Sequence, residues 1–214
     1  MAIEELALPF DPEAVLELSS RAKRELRKAA KAMRNSVPRT ALVARSEALV
    51  EKLRELPEMV RAKRVALFYP IEAQREIDLR AFDAALRARG VGVFYPVVTG
   101  QKEDREMAFA DPRSLDALED RGHGFKEPPA DIEPTLALDV LVVPALLVDP
   151  RGHRLGYGAG YYDRVLARCA SEAFFVAVVY DFGLAADLPT MATDVPVHAV
   201  VTDKRVLLVE GDQR

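Results

Sequence analysis

Two periodicities divide the chain. Up to Pro57, apolar positions recur every three or four residues; from Arg64 onward, short apolar runs alternate with helical stretches. Asp11-Pro12 reads as an N-cap followed by proline at the first helical position, opening a short helix to about Leu18. Ser19 or Ser20 then caps a second helix to about Asn35, with a thin apolar stripe of Leu26, Ala29, Ala30 and Met33. Pro38 ends it. A more amphipathic helix follows, carrying Leu42, Val43, Leu49, Val50, Leu53 and Leu56, and Pro57 closes it.

Beyond this, Arg64 to Tyr69 is strand-like, Ile77 to Arg89 is helical and stopped by Gly90, and Val91 to Val98 is a second strand. Glu106 to Ala110 forms a short third strand. Residues 111 to 134, rich in Pro, Gly and charge, are expected to cross the surface. Val140 to Val148 is an almost unbroken apolar run, the pattern of a central strand buried on both faces. Tyr161 to Ala170 is helical, Phe174 to Tyr180 is the next buried strand, and Val197 to Thr202 and Val206 to Glu210 are short final strands. The pattern predicts an α/β fold: a mainly parallel central sheet flanked by helices, preceded by an N-terminal helical arm. At roughly 150 residues per domain, 214 residues suit one such domain over 20–214, with 1–19 as an N-terminal extension.

Composition excludes several chemistries. One cysteine, Cys169, forms no internal disulfide, zinc cluster or iron–sulfur site, and the three histidines, His123, His153 and His198, are scattered. Any metal is expected to be a hard cation on carboxylates and phosphate oxygens. The 30 basic and 34 acidic side chains give a net charge of −4, which argues against bulk nucleic-acid binding. Met1 to Phe10 has no basic residue, and no apolar run approaches the about 18 residues that span a bilayer. The expectation is a cytoplasmic protein that engages neither membrane nor nucleic acid.

The richest segment runs from the Val140 strand through Arg154-Leu-Gly-Tyr-Gly-Ala-Gly160 into Tyr161-Tyr-Asp163. Gly156, Gly158 and Gly160 lack Cβ atoms, so backbone N–H groups there can approach a ligand, and the next helix points its own N–H groups at the same spot. This is an anion site by construction, with Arg154 and Arg164 near enough to add charge. Asp163, in the first helical turn, either caps the helix or holds magnesium bridging phosphates. A plain tight turn and a Rossmann site stand as alternatives, with Asp181 as the ribose acid of the latter. The Rossmann spacing fits poorly, because the third glycine follows the second by two residues and a loop separates strand from glycines.

Lys23 and Arg27 are four apart in a basic stretch that also holds Arg21, Arg24, Lys28, Lys31 and Arg34. They share one helix face that can reach a triphosphate. A solvated face is the stronger alternative, and an RNA-binding arm the remoter one. Glu76 follows a strand in Phe68-Tyr-Pro-Ile71 and could accept from amino groups of a heterocycle; by itself it reads better, with Asp78, as the start of the next helix. Asp194 is a loop acid that local pattern does not single out, and Asp181-Phe-Gly183 matches a kinase magnesium motif by coincidence.

These pieces, in this order, resemble the 5-formyltetrahydrofolate cyclo-ligase (methenyltetrahydrofolate synthetase) family. Lys23 to Arg27 matches a Lys-x-x-Leu-Arg, Tyr69-Pro-Ile and Glu76-Ile-Asp a strand followed by Glu, and Gly124-Phe-Lys-Glu127-Pro128 a Glu-Pro after a turn. Arg154 to Asp163 matches the most specific block without a gap, and Leu188-Pro189 and Asp194 close the pattern. The resemblance implies ATP-dependent closure of 5-formyltetrahydrofolate to 5,10-methenyltetrahydrofolate with ADP and phosphate released. ATP phosphorylates the formyl oxygen and N10 attacks. It implies ATP binding by Lys23, Arg27, Arg154, Leu155, Gly156, Tyr157, Gly158, Ala159, Gly160, Tyr161 and Tyr162, with Arg154 and Tyr161 catalytic. Ile71, Glu76, Tyr157 and Tyr161 would hold the folate, and Asp163 and Asp194 Mg²⁺. The partners are then the small molecules ATP and reduced folate, on a monomer or weak homodimer. Ala159, Gly183 and Thr193 depart from the commonest family residues, and the last two keep open a non-catalytic folate- or nucleotide-binding protein of the same fold.

Overall fold

The computed structural model describes residues 11–100, 104, 106–169 and 173–209. The first ten residues of the expected extension, Ala170 and Glu210 lie outside these. The arm is one helix, α1 (Pro12–Ser36), capped by the Asp11 carboxylate, which accepts the Glu13 N–H at 3.0 Å. It runs through Ser19 and Ser20 without the expected break. Serine costs only a few tenths of a kcal/mol inside a helix, and Lys23, Ala30 and Arg34 form a buried stripe that docks its length against the domain. Helix α2 (Arg39–Glu55) buries Leu42, Leu49, Val50 and Leu53. Pro57 both ends it and occupies the first turn of α3 (Pro57–Arg61), where its missing N–H costs nothing.

Strand β1 (Arg64–Ala66) is shorter than the apolar run predicts, although the Leu67 N–H still pairs with the Phe94 carbonyl at 2.9 Å. Helix α4 (Arg80–Ala88) begins later than expected, because Asp78 accepts the Arg80 N–H at 3.0 Å and Ile77 and Leu79 are drawn into the core. Then come β2 (Gly92–Val98), β3 (Met107–Ala110), the two-residue strands β4 (Glu119–Asp120) and β5 (Lys126–Glu127), and β6 (Val140–Pro144). The long apolar run breaks after Pro144. Leu147–Val148 (β7) leaves the sheet to pair antiparallel with Arg154–Leu155 (β8). Helix α5 (Tyr161–Cys169) and strands β9 (Phe174–Val178), β10 (Ala199–Val201) and β11 (Val206–Leu208) complete the chain.

The seven-stranded sheet has the order β11-β10-β9-β6-β1-β2-β3. Its inner neighbours are all parallel, and β3 and β11 are antiparallel edges. Alternation along β6 explains the two cores. Val140 and Val142 face α2–α4, with Leu49, Leu53, Phe82 and Leu86; Leu141 and Val143 face α5, with Val165, Leu166 and Phe175. The chain leaves β1 for β2 on one side and later returns as β6 on the other. Such a reversal opens a crevice at the carboxyl ends of the strands. Among the described residues, no helix is long and apolar enough to cross a membrane.

The segment 111–134, expected to cross the surface, is tied inward by one of its acids. Glu127 is fully buried, accepts the Val98 N–H at 2.7 Å and is hydrogen-bonded to His123. Gly183, in the 3₁₀ turn Asp181–Gly183, packs so tightly that a Cβ would lie 2.5 Å from Val179 Cγ2 and 2.8 Å from the Leu146 carbonyl oxygen. Gly183→Ala is therefore expected to cost about 2 kcal/mol or more. Gly90→Ala, at φ +77 with no atom within 4 Å of its Cβ, should cost about 1 kcal/mol from backbone strain alone. Urea denaturation compares the two; equal losses would show that the Gly183 contact relaxes freely.

Candidate functional site

A cavity of about 980 Å³ opens at the carboxyl ends of β1, β2 and β6, roofed by α1. All the expected site residues line it: Lys23 and Arg27 from α1, Ile71 and Glu76 after β1, the run from Arg154 to Asp163, and Asp194. Four segments far apart in sequence meet here because the strand reversal leaves their connecting loops side by side.

One end gathers cationic side chains around a glycine-rich turn. The backbone turns through Gly158 at φ +100 and Gly160 at φ +78, conformations that L side chains rarely adopt. A Cβ on Gly158 would stand 3.1 Å from Arg27 Cζ, and Arg27 Nε donates to the Gly156 carbonyl at 2.9 Å. A Cβ on Gly156 would meet no atom within 4 Å, so the space over that residue is open to a ligand. Arg154, with a side chain 4% exposed, donates to Asp163 Oδ1 at 2.7 Å and to the Val195 carbonyl. Lys23 Nζ donates to Asp194 Oδ2 at 2.5 Å, and that oxygen also accepts the Met191 N–H at 2.9 Å. Burial pulls the Arg154 and Arg27 guanidinium groups below their ordinary range, and Asp163 and Asp194 oppose that pull on both. The solvated-face reading of α1 thus fails for Lys23 and Arg27, which point inward.

The other end suits a flat polar heterocycle. Glu76 Oε2 accepts the Ile71 N–H at 2.7 Å, and the Tyr157 hydroxyl hydrogen-bonds the same carboxylate. Withdrawal from water pushes the Glu76 carboxyl up, and these bonds and the Arg34 charge only partly offset the rise. Phe68, Ile71, Pro96 and Met107 give apolar wall, and Phe125 packs edge-on against Tyr161 with ring centroids 6.3 Å apart. Burial also raises the Tyr162 phenol, with the Glu76 charge adding to the effect.

Three features escape local pattern. Arg34 bonds Tyr157 Oη at 2.9 Å, though only the seven-residue step from Arg27 hints that they share a face. His123 and Phe125 reach the cavity from the turn between β4 and β5, and Lys31 Nζ stands 5.0 Å over the Tyr157 ring. Conversely, Asp181 is no ribose acid: it pairs with Arg205 at 2.8 Å and accepts the Thr202 hydroxyl at 3.0 Å, outside the cavity. The glycine run does turn the chain, at Gly158 and Gly160, and its residues line the cavity as well. Ala159 and Thr193 line the cavity, whereas Gly183 lies beneath Leu146.

Among the described residues, no three or more His, Cys, Asp and Glu gather as a metal cage. Asp163 and Asp194 nevertheless both face the cavity and both act on Arg27 and Arg154. Two such carboxylates fit Mg²⁺, which takes most of its ligands from phosphate and water.

The model of the 5-formyltetrahydrofolate cyclo-ligase family matches residues 19–203. A 5-formyltetrahydrofolate cyclo-ligase of Mycolicibacterium smegmatis is 45% identical over 85 residues, 38% of this chain and 44% of that protein. One of Escherichia coli K12 is 39% identical over 77 residues, 36% of this chain and 42% of that protein. These alignments span less than half the length of either relative. The solved 5,10-methenyltetrahydrofolate synthetase of Aquifex aeolicus superposes with a TM-score of 0.76 and 31% identity, covering 90% of this chain and 95% of that one. A Mycoplasma pneumoniae structure of the same description, 22% identical with a TM-score of 0.67 and covering 85% and 98%, shares the fold.

Gly158→Ala is expected to displace Arg27 and weaken binding of inorganic triphosphate about tenfold or more, at a stability cost of about 1 kcal/mol. Gly156→Ala should leave stability within about 0.5 kcal/mol yet weaken the same anion by occupying its space. Thermal denaturation and triphosphate titration read both effects, and full-strength anion binding by both variants would rule out this loop as the anion site.

Proposed function

The chain belongs to the 5-formyltetrahydrofolate cyclo-ligase family, and from that premise we propose that it closes 5-formyltetrahydrofolate to 5,10-methenyltetrahydrofolate at the expense of ATP. The formyl oxygen attacks the γ-phosphorus, ADP leaves, and the formyl carbon becomes electrophilic. N10 then attacks that carbon and loses its proton, and the former formyl oxygen departs with phosphate. Such chemistry needs positioning and charge neutralisation more than a protein nucleophile. That suits a site built from glycines, arginines and tyrosines.

The observation that carries this reading is the buried Arg154 guanidinium paired with the part-exposed Asp163 beside the glycine run, in one cavity with Glu76. Arg154 and Tyr161 act at the transferring phosphoryl group, Lys23 and Arg27 steady the other phosphates, and the loop from Leu155 to Tyr162 wraps them. Glu76 and Ile71 take the heterocycle, beside Tyr157 and Tyr161. Asp163 and Asp194 would hold Mg²⁺, which neutralises phosphate charge when bound. Preorganised cations in a desolvated site are worth more than in water. We take the acting form to be a monomer or weak homodimer. ATP is an intracellular co-substrate, and we take the cytoplasm as the place of action.

Purified protein should form methenyl product, followed by absorbance, only when ATP is present; no ATP-dependent product would overturn the activity. Arg154→Ala should lower kcat/KM about a hundredfold or more, with the folded state retained by circular dichroism. Lys23→Ala should raise the KM for ATP more than that for folate. An ATP dependence unchanged in Lys23→Ala would return α1 to a merely structural part.

A further inference from the structure

Arg34 is buried, 4% exposed, and no step of the proposed reaction uses it. A guanidinium can only donate hydrogen bonds. Its Nη2 donates to the Ala145 carbonyl at 2.8 Å, just past β6, and its Nη1 to Tyr157 Oη at 2.9 Å, with the Gln74 carbonyl at 3.5 Å. The Tyr157 hydroxyl has one proton of its own. With Arg34 on a lone pair of that oxygen, the proton is directed to the other partner, the Glu76 carboxylate. The loop before Glu76 is fastened in the reverse sense. Arg75, a non-glycine residue at φ +52, donates to the carbonyls of Asn35 at 2.6 Å and Val37 at 2.9 Å, at the end of α1. Helix end and loop therefore hold each other.

We propose that Arg34 is a positioning residue for the heterocycle end of the site. Through Tyr157 it fixes Glu76 as an acceptor turned to the cavity, which selects a ring edge with adjacent N–H donors such as a 2-amino-4-oxopyrimidine. This rests on the folate reading above. The charged and titratable groups facing Glu76 are Arg34 from α1, Tyr157 from the glycine run and Tyr162 from α5. Burial raises the Glu76 carboxyl, whereas Tyr157, the Ile71 N–H and Arg34 lower it. Removing Arg34 therefore raises it further. An acceptor carboxylate works above its pKa and fails as pH falls through it, so loss of Arg34 makes folate binding fail at a higher pH.

The test is calorimetric titration of 5-formyltetrahydrofolate, and separately of a non-hydrolysable ATP analogue, from acidic to neutral pH. Arg34→Met should weaken folate about tenfold or more, change nucleotide affinity far less, and move the acid limb of folate binding to higher pH. Arg34→Lys, which keeps the charge, should bring the limb back toward wild type. Tyr157→Phe, which keeps the ring and removes the relay, should move it as Arg34→Met does; this variant decides the matter if Arg34→Met does not fold. An acid limb shared by wild type and the relay variants, or equal losses for folate and nucleotide in Arg34→Met, would overturn the proposal alone. Wild-type protein that binds no folate at any pH would overturn the folate reading and this proposal with it.

Discussion

The structure depends on burying positive charge under one helix. Lys23, Arg27 and Arg34 stand on the inward face of α1, at steps of four and seven residues. Each meets a partner from a different part of the chain: Asp194, the Gly156 carbonyl, and Tyr157 with the Ala145 carbonyl. Desolvation of such groups offsets much of what their pairing returns, so the stripe adds little net stability. What it does add is direction. The partners are loop atoms, and they hold the loops at the sheet's carboxyl edge in one arrangement around the cavity.

The glycine run carries the second constraint. Gly158 and Gly160 take left-handed backbone, and Gly158 also leaves room for Arg27. The loop and the helix are thus mutually fitted: the turn lets the guanidinium approach, and the guanidinium ties the turn through Gly156. Arg154 completes the arrangement from beneath, held by Asp163 at the first turn of α5. The glycine-run end of the cavity and its Glu76 end share Tyr157 and α1, so neither is built independently of the other.

Much of this could be read locally. The central apolar run, the glycine punctuation and the alternation of strand and helix gave the layered α/β architecture, because burial on both faces and backbone freedom are written residue by residue. The family motifs brought Lys23, Glu76, the Arg154 to Asp163 block and Asp194 onto one list, and all of them line one cavity. Errors cluster where tertiary contacts overrule local preference. Ser19 and Ser20 do not cap because docking carries α1 through them; the Val140 run splits because β7 finds β8; and the 111–134 segment, expected to cross the surface, fully buries its Glu127.

The sequence by itself determined the element order, the sheet type and the chemical character of the site, since periodicity, glycine and charge act at short range. Tertiary structure alone decided which cations are solvated and which are buried: Arg34 and Arg24 read alike along the chain, yet one is buried against Tyr157 and the other is exposed. It also decided that Asp181 serves Arg205 while Asp194 serves Lys23. The physical reason is that a charge is defined by its surroundings. Its partner and its access to water come from segments distant in sequence, and only the packed fold brings those together.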